Sequence, residues 1–252
     1  MFDRLMRGRR NDAPALSPNE TELIKQQLAE DFRRHAPTIG VVGVSGTGKS
    51  STINSMFRTS LPVSHTRAGT KRFEETELRL KANKGVVAGE PIDLVVIDAP
   101  GLGEDVRRDP EYLDEYLRKL PRCDVILWVM TARNRAIALD QRYLERLAEF
   151  RSRMVFSVNQ VDLVHPMNWT PGSPIPNPEM RERINEITAD RAERLAAVTG
   201  DRTTVIPYSA ERGYNLETLF HALISAAPEQ RAFAFDLLKG FSYEDFQRRA
   251  VA

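Results

Sequence analysis

The sequence predicts an α/β fold: a mostly parallel six-stranded sheet with one antiparallel edge strand, helices on both faces and extra helices at the two ends. From Thr38 onward short β-branched runs alternate with longer helical patterns, the signature of a parallel sheet covered on both sides. The apolar runs Leu94–Ile97 and Val125–Met130 have the length of buried strands and fall far short of the ~20 residues a membrane helix needs. At 252 residues the chain has room for one generous domain with appendages, and too little for two ordinary domains and a linker.

Taken in order, residues 1–16 read as a flexible tail. Its basic start, Met1 to Arg10, holds only Phe2, Leu5 and Met6 as large apolar residues, which is not the apolar stretch of a signal peptide. Residues 17–36 predict a helix: Ser17 caps it, Pro18 takes the first helical position and Glu20 completes a capping box. Leu23, Ile24, Leu28 and Phe32 recur at helical spacing, so one side is expected to dock on the main domain.

The main domain is expected over 37–228. Its strands are predicted at Thr38 to Val42, Phe73 to Lys81, Ile92 to Ile97, Asp124 to Met130, Met154 to Val158 and Thr203 to Pro207. In the second of these Phe73, Thr76, Leu78 and Leu80 partly alternate with charged residues, which suits an edge strand. Helices are predicted at Lys49 to Phe57, Pro110 to Lys119, Leu139 to Phe150, Pro178 to Thr199 and Asn215 to Ala226. Between 164 and 178 stand Pro166, Pro171, Pro174, Pro176 and Pro178, which allow neither a helix nor a central strand, so a surface loop is expected there. Residues 229–252 form an aromatic-rich helical extension in which Phe233, Leu237 and Phe241 share a helical spacing. That stripe either packs on the core or meets a partner or, with Arg231, Lys239, Arg248 and Arg249, an anionic membrane surface.

The formal net charge of +1 advertises no nucleic-acid partner. Cys123 is the single cysteine, so no intrachain disulfide forms, and no histidines or cysteines cluster at metal-site spacing. A reducing, cytoplasmic setting is the expectation.

Gly43-Val44-Ser45-Gly46-Thr47-Gly48-Lys49-Ser50 spells G-x-x-x-x-G-K-S between an apolar strand and a helix, the context a phosphate-binding loop requires. Backbone N–H groups over Gly43, Ser45, Gly46, Thr47, Gly48, Lys49, Ser50 and Ser51 are then expected to cradle phosphates at the positive end of the helix. Lys49 reaches the β- and γ-phosphates, and Ser50 is a Mg²⁺ ligand. Asp98-Ala99-Pro100-Gly101 follows a buried strand, so Asp98 stands where sheet ligands bind and serves the metal through a water, while the Gly101 N–H senses the γ-phosphate.

Asn159-Gln160-Val161-Asp162, after the strand ending at Val158, resembles the N-K-x-D element of GTPases. An Asp162 carboxylate accepts from N1–H and the 2-amino group of guanine together, a donor pair adenine lacks. Asn159 contacts the base edge and ties this loop to the phosphate loop. Tyr208-Ser209-Ala210 resembles the last guanine-side element, with the Ala210 N–H on the guanine oxygen. A P-loop ATPase or small-molecule kinase conflicts with Asn159 and Asp162.

With these elements in order, and with the run G-K-S-S-T-I-N at Gly48 to Asn54, the chain over about Thr38 to Ala227 resembles the TRAFAC-class P-loop GTPases of the Era-like and septin-like superfamily. Within it the resemblance is to the small bacterial GTPases of the YfjP/YeeP type, which have N-Q-x-D. The resemblance implies a Ras-like G domain that hydrolyses GTP to GDP, with GTP or GDP and Mg²⁺ bound and loops that order around the γ-phosphate. It also implies a first-switch threonine on the metal: Thr70 in Arg67-Ala68-Gly69-Thr70, with Thr66 the competitor. Lys49, Thr70 and Gly101 are thus the expected catalytic residues, and Ser50, Thr70 and Asp98 the metal side.

Two departures stand out. Gln160 replaces the usual lysine, keeping some stem packing and losing the charge. Leu102 stands where Ras-type enzymes hold a water-orienting glutamine, so turnover is expected to be slow unless a partner, a second copy or a backbone group supplies what is missing, a contribution worth roughly 10³ to 10⁵ in rate. Gly46 replaces the asparagine of potassium-activated members. The charged stretch Leu102 to Pro110 reads as a solvated loop, with a catalytic arginine for a neighbouring copy as the sharper alternative. Trp169 either pins the proline-rich loop or marks a recognition surface. The 25 residues after Ala227 leave no room for the nucleic-acid-binding domain of Era itself. A GTP-dependent dimerising scaffold, in which hydrolysis is incidental, remains the other functional class beside a molecular switch with a protein effector.

Overall fold

The computed structural model describes residues 17, 19, 23, 27, 30, 34–63, 70, 72–81, 91–104, 107–134, 137–165, 169 and 173–238. Six strands carry the architecture: β1 Thr38–Val42, β2 Glu74–Lys81, β3 Pro91–Asp98, β4 Val125–Thr131, β5 Met154–Asn159 and β6 Val205–Pro207. Their order is β2-β3-β1-β4-β5-β6. Every pairing is parallel except β2 with β3. The expected sheet is therefore present, and the alternating Glu74–Lys81 segment is its antiparallel edge. Glu75 on that edge is held by Arg122 at 2.8 Å and Lys119 at 3.3 Å.

The helices are α1 Lys49–Phe57, α2 Asp109–Lys119, α3 Ala138–Arg146, α4 Pro178–Thr199, α5 Leu216–Ser225 and α6 Ala232–Leu238. Strand β4 shows how they sort. Val125, Leu127 and Val129 face one core with α1, α5 and α6, while Ile126, Trp128 and Met130 face a second core with α2, α3 and α4. Period-two alternation makes this separation, and each fully buried side chain of this size contributes about 1.5–3 kcal/mol. The chain leaves β1 toward β3 on one side and β4 on the other. The crevice beyond the carboxyl end of β1 is thus the topological switch point, where open α/β sheets bind ligands.

Several boundaries differ from the expectation. The helix expected over Leu139 to Phe150 ends at Arg146 and gives way to a 3₁₀ segment, Ala148–Arg153. Leu144, Leu147 and Phe150 are buried at three-residue intervals, a period that the tighter helix aligns and the α-helix does not. Strand β6 omits Thr203, whose hydroxyl bonds the nearby Asp201 carbonyl instead of leaving the chain free to pair.

At the amino end, Asn19, Leu23, Gln27, Glu30 and Arg34 are helical, and Leu23 is exposed. It shares a face with those polar residues rather than with a docking stripe. Ile24, Leu28 and Phe32 lie outside the described residues, as do the tail 1–16 and 239–252. Among the described side chains of α6, Ala234, Phe235 and Leu238 enter the core. Arg231, just before that helix, bonds Asp124 at 3.0 Å and the His35 carbonyl at 2.6 Å, and Asp124 accepts from the Thr38 N–H at 2.8 Å. Among the described residues no helix is long and apolar enough to cross a membrane.

Candidate functional site

The loop leaving β1 closes tightly because glycine stands where nothing larger fits. A Cβ on Gly43, at φ 141°, would lie 2.3 Å from the Val129 carbonyl oxygen; one on Gly48, at φ 85°, would lie 2.5 Å from Asn159 Nδ2. The loop delivers Lys49 to the first turn of α1. There the Lys49 ammonium, 7% exposed, donates to the carbonyls of Gly43 at 3.2 Å and Val44 at 3.1 Å. Burial pushes its pKa down to about 8, against the pull of Asp98, Glu104 and Asp140. A buried cation whose direct partners among the described residues are neutral carbonyls favours an arriving anion. Thr47 closes the loop by donating to the Val44 carbonyl at 3.0 Å, and Ser51 follows on α1.

Ser50, Thr70 and Asp98 meet. The Ser50 hydroxyl donates to Asp98 Oδ2 at 2.5 Å, Thr70 donates to the same oxygen at 2.9 Å, and the two hydroxyls are 3.2 Å apart. Asp98 is 1% exposed, and its Oδ1 is buried without a partner among the described residues. Burial raises its pKa, with the two hydroxyls and Lys49 opposing. Two hydroxyls gathered on Asp98 Oδ2, beside the orphaned Oδ1 of the same carboxylate, make a set of hard oxygen donors that fits a small divalent cation such as Mg²⁺. Thr66, the competing threonine, lies outside the described residues.

Gly101 packs against the phosphate loop so closely that a Cβ there would lie 2.6 Å from Ser45 Cα. The Ser45 N–H donates to the Leu102 carbonyl at 2.8 Å, and the Leu102 N–H donates to the Gly43 carbonyl at 3.3 Å. The Ser45 N–H expected to face phosphate is thus spent on Leu102. The Leu102 side chain is fully buried in the second core beside Ile97, Tyr112 and Tyr116. It turns into the protein, so that position offers water no side chain at all. Asp109 holds the following turn, accepting from the Gly103 N–H at 2.9 Å and the Tyr143 hydroxyl at 2.5 Å. Within this charged loop, Asp105 and its neighbour Val106 lie outside the described residues.

On the base side, Asn159 is the hub. Its Nδ2 donates to the Thr47 carbonyl at 2.9 Å, and its Oδ1 accepts from the Ala210 N–H at 3.1 Å. The Ala210 donor assigned from sequence to a guanine oxygen is therefore held by Asn159 here. Ser209 donates to Asp162 Oδ1 at 2.6 Å, and both are buried. Gln160, in the left-handed region at φ 64°, accepts from Thr131 at 2.6 Å and donates to the Gly46 carbonyl at 3.2 Å. An amide carries both a donor and an acceptor, so Gln160 accepts from Thr131 while donating to Gly46, whereas a lysine could only donate. Hydrogen bonds thus tie the phosphate loop to the Leu102 turn and to the base-side loop.

Sequence reading missed Thr131 and gave no role to the side chains of Thr52 and Tyr208. Thr52 bonds the Gly48 carbonyl at 2.7 Å and Tyr208 at 2.7 Å, bracing α1 against the base loop. Thr131 ends a central strand at the ligand-binding edge, and that position was a usable signal. Asp140, inside the second core, accepts from the Trp128 indole at 2.9 Å, and burial pushes its pKa up to about 6.

Comparison with known proteins agrees with this geometry. Residues 38–160 match the family described as 50S ribosome-binding GTPase. The uncharacterised protein YfjP of Escherichia coli (strain K12) is 34% identical over 168 residues, covering 66% of this chain and 54% of YfjP. The chain carries a P-loop GTPase domain related to that of YfjP. GTPase Era of Alkaliphilus metalliredigens (strain QYMF) is 22% identical over 192 residues, 76% of this chain and 56% of Era. A solved structure of the chloroplast translocon components atToc33 and psToc159 shares the fold at TM-score 0.56 and 17% identity, covering 84% of this chain and 91% of its own. The P-loop GTPase domain matched here spans about half the length of YfjP and its relative YkfA.

Proposed function

We propose that this chain binds GTP and GDP with Mg²⁺ and hydrolyses GTP to GDP and phosphate slowly, working as a molecular switch in the cytoplasm. The observation that carries this is the direct tie between the phosphate loop and the base loop, Asn159 to Thr47 and Gln160 to Gly46. In this reading the Lys49 ammonium serves the phosphates and the Asp162 carboxylate the base on the two loops so joined.

In this reading Lys49 exchanges its two carbonyl partners for β- and γ-phosphate oxygens, and the phosphate-loop N–H groups complete the cradle. Ser50, Thr70 and Asp98 hold the Mg²⁺. When bound, that ion supplies positive charge against the phosphates during transfer. Asp162 accepts from the two guanine donors while Ser209 fixes its other side. Leu102, now bonded to Ser45 and Gly43, makes the second switch together with Gly101: a γ-phosphate draws in the Gly101 N–H, competes for the Ser45 N–H and releases the Leu102 contact. Turnover is slow because Leu102 is buried and orients no water.

The same burial favours a second reading, a GTP-dependent homodimer or scaffold in which a partner supplies the missing group. Dimerization is important for the GTPase activity of the translocon components that share this fold. The test is phosphate release from GTP across a wide range of protein concentration, with Lys49→Ala as control. A release that vanishes in Lys49→Ala supports hydrolysis. A rate per chain that stays flat on dilution favours the switch, and one that falls favours the dimer. Release untouched by Lys49→Ala would overturn both.

A further inference from the structure

Trp169 lies in the proline-rich insertion yet is 7% exposed, and its indole N–H has no partner among the described residues. No polar bond explains its burial. What it meets is the base-side loop. Its ring stands edge-on to Tyr214 with centroids 5.4 Å apart and an interplanar angle of 77°, and the Arg212 guanidinium sits 6.0 Å over it. A backbone bridge to Pro176 anchors Trp169 just before α4.

Tyr214 is one half of a two-residue ladder. Its N–H donates to the Ser209 carbonyl and its carbonyl accepts from the Ser209 N–H, each at 3.1 Å. The Arg212 N–H donates to Ser209 Oγ at 3.0 Å, and that same Oγ donates to Asp162 at 2.6 Å. The aromatic contact therefore lies two residues' contacts away from the guanine-reading carboxylate, on a rigid hairpin.

We propose that Trp169 is a positioning residue for guanine recognition: through Tyr214 and Arg212 it holds the Ser209 hairpin, and so Asp162, in the geometry that reads the 2-amino group of the base. The inference rests on the GTPase reading above and adds to it a role for the insertion. Inosine triphosphate lacks only that 2-amino group, so the ratio of GTP to ITP affinity reports how well Asp162 is held.

The experiment measures GTP, ITP and ATP affinity for the full chain and for Trp169→Ala, Trp169→Phe and Tyr214→Leu, with thermal unfolding of each. Trp169→Ala is expected to narrow the GTP/ITP ratio about 3- to 10-fold, the scale of an edge-on aromatic pair. It should raise KM for GTP more than it changes kcat, and Trp169→Phe should restore most of the ratio. Tyr214→Leu, which removes the same contact from the other side, must narrow the ratio likewise and decides the matter if Trp169→Ala does not fold. A ratio unchanged in folded Trp169→Ala or Tyr214→Leu overturns the positioning role. A native chain that does not prefer GTP to ATP overturns the GTPase reading itself, a separate outcome.

Discussion

Replacing Gly48 and Asn159 together tests whether the phosphate and base loops are mechanically one unit. Alanine at Gly48 meets two obstacles. The residue sits at φ 85°, where an L side chain costs about 1–2 kcal/mol. Its Cβ would also lie 2.5 Å from Asn159 Nδ2, closer than such atoms can approach, so Asn159 must withdraw. That withdrawal breaks the bonds to the Thr47 carbonyl and from the Ala210 N–H. Asn159→Ala removes the same two bonds outright, and each buried group left without a partner costs about 1–3 kcal/mol, giving about 2–6 kcal/mol for the pair. In the double variant the clash has no target, so only backbone strain is added to that loss. The cycle should therefore show a coupling of about 2 kcal/mol or more, with the double variant little worse than Gly48→Ala alone. Urea unfolding of the four nucleotide-free proteins, with matching slopes, measures it. Additivity within about 0.5 kcal/mol would refute the contact and with it the mechanical tie.

Two further predictions concern the second core. Leu102→Gln places an amide in a fully buried apolar site, so it should cost about 1–3 kcal/mol of stability and leave GTP turnover no faster; a large rise in kcat would show that this side chain can reach the phosphate. Asp140 has its pKa raised from 3.8 to about 6, chiefly by burial and despite the Trp128 indole and Arg191. Its folded state binds the proton more tightly than the unfolded state, so stability falls as pH rises from about 4 to 6. Asp140→Asn keeps an acceptor for Trp128, should remove that slope, and should gain on the order of 1–3 kcal/mol at pH 7 in thermal or urea unfolding.

How far the molecule could be read from its sequence follows from where each interaction lies along the chain. The phosphate loop is contiguous, and its strand–loop–helix context is enough to identify it. The edge strand was equally readable, because its partial alternation differs from the unbroken apolar run of β4. What was not legible depends on residues far apart. Gln160 looked like a weakened lysine until Thr131, 29 positions earlier, proved to be its second partner. The Ser45 N–H looked free for phosphate until Leu102 folded over it. Leu23 read as part of an apolar stripe, but the helix turns it outward with polar neighbours. In α6 Ala234, Phe235 and Leu238 enter the core, beside a helical spacing of Phe233, Leu237 and Phe241 whose side chains lie outside the described residues.

The most direct test of the account is nucleotide selectivity. GTP, GDP, ATP and XTP affinities are measured in the presence of Mg²⁺ for the native chain and for Asp162→Asn. Asn keeps an acceptor for Ser209 but faces N1–H and the 2-amino group without a full charge, and it offers the second oxygen of xanthine a donor. The native chain should prefer GTP and GDP to ATP and XTP by at least 100-fold or so, the scale on which a polar site rejects a base it cannot pair. Asp162→Asn should lose guanine affinity by a similar factor and gain XTP. Equal binding of GTP and ATP by the native chain, or unchanged GTP affinity in Asp162→Asn, would contradict the assignment of this crevice to guanine nucleotides.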